Sequence, residues 1–431
     1  MVEAESVCLR RLGGDRAREV RFGRFLSNSK VTWQEIMREG CSKTGMLAQG
    51  LHVLAIQDTS ELNYEAHAER VTGLGKVGNG KDAGMFIHPL LALDAQSGAC
   101  LGLAHQHMWM RVEKAAKNYK QLAIEEKESY RWLEVAQAGK KALSRAEMIT
   151  IIADRESDIY EEWDRVPDSK THLLTRACRD RVLSSGEKLY GWLENQEVQG
   201  CYKLSLPSRT GKRSAHEARM EIRYGEVEIN RPKNCSDKGA SASIKLYAIE
   251  VREQTGSVVG EEKPVRWRLL TTHKIESVED ALRCVGWYCC RWQIEQFFRT
   301  LKKQGFQIES SQVETGEGLM KLACIAMQAA VRTLQLTLAR EGNTDRMATD
   351  VFDEADIEVL EQILPGLEGK TDKQKNRYAP KKLAWAAWII ARLGGWNGYA
   401  CEAKPGPITM LRGQQRFASI SEGWKLAKMC A

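Results

Sequence analysis

"MITIIAD", residues 148–154, is apolar at every position except Thr150 and the closing Asp154. A short, continuous apolar run rich in β-branched residues is the pattern of a strand buried on both faces, as in a parallel sheet covered by helices on each side. Upstream of it, "AIEEKESYRWLEVAQAGKKAL" reads as a long polar helix carrying Trp132. Further upstream, "LHVLAIQDTSEL" alternates as a strand, and "GMFIHPLLALDA" and "CLGLAHQHMWM" flank the turn "QSG" as a hairpin. Three or four early strands, a helix and a buried strand that ends on an acid predict an α/β domain with a mixed sheet.

Downstream, residues from about 171 to 272 return to short β patterns: "KLYGWLE", "CYKLSLP", "ARMEIRYGEVEI", "SIKLYAIEV" and "VRWRLLTTH". Gly, Pro, Asn and Ser separate them, and together they predict a β-rich insertion. The α/β domain resumes with one long helix from about Val278 to Lys303, and the remainder is helical, with "AWAAWIIARLGGW" and "ISEGWKLAKM" near the end. At the other end of the chain, "TWQEIMREG" is a short helical pattern with Thr32 as its N-cap.

The 431 residues are 43% apolar and 28% charged, with a formal net charge of +7, enough to build a full core in two or three domains with a mildly cationic surface. Twelve cysteines are scattered without a CxxC or a Cys/His zinc spacing and read as reduced thiols. "HQH" at His105 and His107 lacks a third ligand nearby, and "GLGKVGNGK" follows no apolar strand as a P-loop would. The N-terminus has no apolar signal core, and Lys321 interrupts the best apolar helix, "GLMKLACIAMQAAV". The expected compartment is the cytoplasm, with no membrane partner.

Three acids stand where chemistry is plausible. Asp58 ends the strand "LHVLAIQD", Asp154 ends "MITIIAD", and Glu295 sits on the long helix. Strand ends that deliver carboxylates place charge where ligands of α/β sheets gather, although an acid there also serves as a turn former or helix cap. Along an ideal helix Tyr288, Arg291, Glu295, Arg299 and Lys302 fall within an arc of about 80°. Two readings fit that face. One is a solvated surface laced with i,i+4 ion pairs, Arg291 with Glu295 and Glu295 with Arg299. The other is a metal-binding carboxylate beside cations that grip phosphates, with two divalent ions acting on a phosphodiester.

The blocks "QDTSELNY" (57–64), "ADRESDIYEEW" (153–163) and "YCCRWQIEQFFRTLKKQGFQIE" (288–309) resemble the three catalytic blocks of bacterial DDE transposases of the transposon-five kind, within the insertion-sequence-four group. That group's Y-(2)-R-(3)-E-(6)-K signature is matched by Tyr288, Arg291, Glu295 and Lys302. The resemblance covers about residues 21 to 431. It implies an RNase H-like catalytic domain over 46–340 interrupted by the β-rich insertion, a shortened N-terminal DNA-binding segment over 1–45, and a C-terminal helical dimerisation region over 341–431. It also implies that Asp58, Asp154 and Glu295 bind two Mg²⁺ ions, with Mn²⁺ as substitute, for cut-and-paste transposition. Within "DRESD" the family's ligand is the first acid, so Asp154 is favoured over Asp158.

By the same resemblance Tyr288, Arg291 and Lys302 hold DNA phosphates, and Trp267 stacks on a flipped base with Trp292 beside it. Arg299, on the same helix face, and Arg155 and Arg176, at matching positions, are further DNA-binding candidates. The implied partners are double-stranded DNA, both terminal inverted repeats and target, and a second copy of the chain in a paired-end complex. The sequence departs from the family where "LGGDRAREVRFGRFLSN" joins two family pieces without the segment between them, and where "AGMFIHP" replaces a tryptophan-rich stretch. The first departure raises an alternative: a catalytically idle, dimerising regulator with reduced end recognition.

Overall fold

The computed structural model describes every residue except 3, 5, 112–121, 207, 209–212, 236, 260–262, 400, 401 and 431. Its strands are β1 (His52–Gln57), β2 (Ser60–Asn63), β3 (Gly75–Val77), β4 (Asp82–Asp94), β5 (Cys100–Trp109), β6 (Met148–Ala153), β7 (Thr171–Arg176), β8 (Gly200–Leu206), β9 (His216–Asn230), β10 (Ser243–Glu253) and β11 (Arg266–Thr271). The helices are α1 (Leu9–Gly13), α2 (Arg16–Ser27), α3 (Trp33–Leu47), α4 (Tyr130–Ala142), α5 (Tyr160–Arg165), α6 (Leu189–Asn195), α7 (Val278–Cys289), α8 (Trp292–Leu301), α9 (Gly316–Ala339), α10 (Glu354–Leu367), α11 (Leu383–Leu393) and α12 (Pro407–Cys430).

The strands form one mixed sheet with β5-β4-β1-β6-β7-β11-β10-β9-β8 as its main order, while β2 and β3 pair with the far end of β4. β5, β4 and β1 are antiparallel neighbours, and β6 and β7 run parallel to β1. Because β1 and β6 point the same way in register, Ile56 opposite Ile152, their C-terminal ends bring Asp58 and Asp154 to one edge of the sheet.

Alternation along each strand feeds two cores. Leu54, Ile56, Ile152 and Leu174 face the layer containing α7, α8 and α9; Val53, Ala55, Ile151 and Leu173 face α4, α5 and α6. A third core joins the end of α9 to α10, α11 and α12 around Trp385, Trp388 and Phe417. Helix α9 is long and apolar enough by composition to cross a membrane, with Lys321 inside it, yet most of its apolar stretch is buried within the protein.

Lys321 is itself a structural device. Its ammonium, on a side chain 1% exposed, donates to the Leu26 and Asn28 carbonyls at the end of α2 and pairs with Glu317 at 3.1 Å. A cation suits the carbonyl end of a helix, where unpaired oxygens and the helix dipole both favour positive charge. The N-terminal helices are thus tied to the central helix. Thr32 caps α3 with a reciprocal Glu35 bond, as the sequence pattern predicts.

Four expectations are corrected. "KLYGWLE" is the helix α6, because Leu189 and Leu193 are buried at helical rather than strand spacing. "LHVLAIQDTSEL" breaks at Asp58 and Thr59 into β1 and β2. The polar helix starts only at Tyr130, after a short 3₁₀ turn over Ile124–Glu126. The long helix from Val278 is two helices: backbone bonds at Cys290, Arg291, Gln293 and Ile294 run to the residue three before, a tight turn that separates α7 from α8. The strands of the expected insertion extend the same sheet, since β11 pairs antiparallel with β7.

Candidate active site

The three acids approach from three elements. Asp58 follows β1, and its Oδ1 accepts the Thr59 backbone N–H at 2.8 Å. Asp154 follows β6 and caps a 3₁₀ turn, accepting the Glu156 N–H at 2.8 Å. Glu295 comes from the first turn of α8, on the helix's partly exposed side. Arg291 lies between two of them, with Nη1 2.9 Å from Asp58 Oδ2 and Nη2 2.7 Å from Glu295 Oε1. Burial, then the Asp154 charge, pushes the Asp58 carboxyl up to about 6, and Arg291 only partly opposes this.

Around this centre sits a crown of cations and aromatic groups. Tyr288, buried on α7, has its phenol raised by burial and drawn back by Arg291 and Arg176. Burial and the neighbouring Arg155 charge lower the Arg176 guanidinium from its usual range, so the two cations repel one another. Trp267 on β11 lies 6.2 Å, ring to ring, from Tyr288. Its neighbours Arg266 and Arg268 point to the opposite sheet face, where both pair with the buried Glu250 at 2.8 Å. Trp292, at the start of α8, is 44% exposed.

Two members of the expected phosphate face stand apart. Lys302 ends α8 and turns to the Glu61 carbonyl (2.7 Å) and Glu309 (3.2 Å), so its charge is held by β2 and the turn after α8. Arg299 is exposed near the end of α8. Asp158, the other acid of "DRESD", is 1% exposed and taken up by the Cys178 and Arg179 backbone N–H groups and by Arg181. Asp154 is the one that opens to the site.

Below the acids lies a polar network that sequence patterning missed. Gln57, His88, Ser157 and Glu162 are all fully buried, the first two on strands otherwise apolar inward. A buried polar group must find partners, and these find one another. Burial raises Glu162 to about 8, against bonds from Ser157 and Gln57, and holds the His88 imidazolium well below its usual range. Both are therefore neutral near pH 7. The available signal was Gln57 and His88 themselves, polar residues inside apolar strand patterns.

Three acids far apart in sequence thus converge on the end of a mixed sheet beneath a cluster of arginines. Residues 134–332 match the family described as transposase DDE domain. The match covers a little under half of the chain, includes Asp154 and Glu295, and begins after Asp58. The matched segment runs from within α4 through most of α9 and contains all of β6 to β11. A solved structure similar to this chain is a piggyBac transposase synaptic complex with hairpin DNA, at 10% identity and a TM-score of 0.32. That likeness covers 76% of this chain, and the chain spans 61% of that protein's length.

Among the described residues no three His, Cys, Asp or Glu side chains are closed up as a ready cage for a metal. The donor chemistry nevertheless suits a hard divalent cation, since Asp58, Asp154 and Glu295 offer only carboxylate oxygens. Arg291 supplies positive charge between Asp58 and Glu295.

Proposed function

We propose that the protein is a DNA transposase of the transposon-five kind, cutting transposon ends and joining them to target DNA, with Asp58, Asp154 and Glu295 as its metal-holding acids. The observation that carries this reading is the meeting of Asp58 and Glu295 through Arg291, with Asp154 close enough for its charge to raise the Asp58 carboxyl, in a chain whose segment 134–332 matches a transposase DDE domain. The sheet supports an RNase H-like core: three antiparallel strands, β5-β4-β1, continue into the parallel β6 and β7.

Mg²⁺ or Mn²⁺ ions at the three carboxylates would supply the Lewis acidity that water or a DNA 3′-hydroxyl needs to displace a phosphodiester oxygen. The chain's own residues do the rest. Arg291, now shared between Asp58 and Glu295, would be free to meet a DNA phosphate if those carboxylates held a cation instead. Arg155 and Arg176, already in mutual repulsion, gain from the same phosphate charge. The Tyr288 hydroxyl, between Arg176 and Arg291, offers a further hydrogen bond, and Trp267 and Trp292 offer flat faces for bases. Lys302 contributes by fixing β2 against α8 more than by meeting phosphate.

The partner on this reading is double-stranded DNA, both terminal repeats and target, gripped by two copies of the chain. Helix α11 is sealed in the C-terminal core, so a second copy would meet α12, where Ile420, Trp424, Leu426 and Met429 are exposed.

The test is cleavage of DNA carrying the element's own terminal repeats. The wild-type chain should nick at the repeat end with Mg²⁺ or Mn²⁺, and Glu295→Ala should lose nicking while still shifting the DNA in a gel. Undiminished metal-dependent nicking by that variant would overturn the assignment.

A further inference from the structure

The polar network beneath the acids closes into a ring. Arg131, on the first turn of α4 and with a side chain only 11% exposed, donates from Nε to the Thr59 hydroxyl at 2.9 Å. From Nη2 it donates to Glu156 at 2.6 Å. These two partners are the residues whose backbone N–H groups hold the acids, Thr59 for Asp58 and Glu156 for Asp154, each at 2.8 Å. One guanidinium therefore ties together the two residues that aim the strand-end carboxylates.

The other half of the ring runs through the protein interior. The Thr59 hydroxyl meets His88 Nδ1 at 2.8 Å, and His88 Nε2 meets Gln57 Oε1 at 3.2 Å. The Gln57 amide donates to Glu162 Oε1 at 3.1 Å, and the Ser157 hydroxyl meets Glu162 Oε2 at 2.5 Å. Ser157 adjoins Glu156, which returns the path to Arg131. Each link also fixes its neighbour's polarity. Because the Gln57 amide donates to Glu162, its oxygen accepts from His88 Nε2–H, and His88 Nδ1 then accepts the Thr59 hydroxyl proton. Thr59 is left as the acceptor for Arg131, which only a donor can satisfy.

We propose that this ring, with Arg131 and Thr59 as its positioning residues, sets the separation and aim of Asp58 and Asp154 and so their joint affinity for a divalent cation. The proposal rests on the metal reading above. It concerns residues that touch neither metal nor DNA but orient those that do, a role whose loss typically weakens metal binding about 10–100-fold. Lysine cannot replace Arg131, because a single ammonium does not present the two directed N–H groups that span Thr59 and Glu156. Valine matches threonine in shape but leaves the His88 Nδ1 and Arg131 Nε bonds unmade.

The experiment compares the full chain with Thr59→Val, Thr59→Ser and Arg131→Lys. Mn²⁺ uptake is read from the electron spin resonance signal of free Mn²⁺, folding from the thermal melt, and nicking of terminal-repeat DNA from a Mn²⁺ titration. Thr59→Val and Arg131→Lys should melt cooperatively yet bind Mn²⁺ about 10–100-fold more weakly, with the nicking midpoint shifted alike. Thr59→Ser, which keeps the hydroxyl, should bind as wild type. If Arg131→Lys fails to fold, the Thr59 pair decides. Wild-type Mn²⁺ affinity in folded Thr59→Val overturns the ring's role alone, while a wild-type chain that takes up no Mn²⁺ overturns the metal reading and this proposal together.

Discussion

Arg291 Nη1 lies 2.9 Å from Asp58 Oδ2, although 233 positions separate the two residues in the chain. The contact joins the end of a central strand to the turn between two helices, and the same guanidinium reaches Glu295. A charge pair this sheltered, with Asp58 19% and Arg291 17% exposed at the side chain, is a poor stability device, since both groups lose hydration to form it.

Replacing Asp58 should expose that cost. Its folded-state pKa, about 6, lies above the value near 4 of an unfolded aspartate, so the stabilising effect of the protonated form is complete below pH 4 and is lost as pH rises through 6. Asp58→Asn should therefore unfold at higher urea than wild type at pH 8, by about 2–3 kcal/mol at most, and match it at pH 4. Parallel urea midpoints for the two proteins across that range would contradict the burial argument.

Glu162 should titrate in the same direction at higher pH. Its folded value near 8 against an ordinary 4.5 means that its contribution is full below pH 4.5, falls as pH rises between the two values and is gone above 8. Glu162→Gln should flatten the melting temperature between pH 6 and 9. Glu162→Ala should cost about 2–3 kcal/mol at pH 7, because Gln57 and Ser157 lose their partner. Melts of the three proteins at pH 6, 7.5 and 9 decide the point.

Lys321→Met keeps the volume but leaves the Leu26 and Asn28 carbonyls bare. The expected loss is about 2–4 kcal/mol. Its first sign should be faster proteolytic clipping around residues 26–31, released before the rest of the fold yields. Clipping at the wild-type rate would show that the cap does not hold the N-terminal helices.

Trp292→Ala should separate binding from folding. The side chain is 44% exposed, so its removal should change stability by no more than about 0.5 kcal/mol. If the indole stacks on a base, DNA affinity should fall by about 1–3 kcal/mol, measured by fluorescence anisotropy with single-stranded and duplex ends. Unchanged affinity would remove Trp292 from the DNA surface.

The parts of the site that were legible in sequence are those whose geometry is local. β1 and β6 announce themselves by apolar runs closing on Asp58 and Asp154, and Arg291 and Glu295 share a face because four residues span about one helical turn. The tight turn at Cys290 and Arg291 was not legible, since one changed ring of backbone bonds leaves the residue pattern intact. Lys302 looked like part of the stripe because an ideal helix was carried past its end at Leu301. His88 and Gln57 were invisible as partners for another reason: β4 crosses beside β1, and no periodicity records which side chains then meet. Lys321 read as a flaw in an apolar helix, and only the end of α2 explains it.

The pairing of β11 with β7 has a consequence for how this gene can vary. Side chains alternate faces along a strand, so a one-codon insertion or deletion within Arg266–Thr271 would exchange Trp267 with an arginine and place a cation against Tyr288. The β8–β9 hairpin, at the far edge of the sheet, passes no such register to the acids. Natural length changes among descendants of this sequence should therefore accumulate at that outer edge and be absent from the six codons of β11.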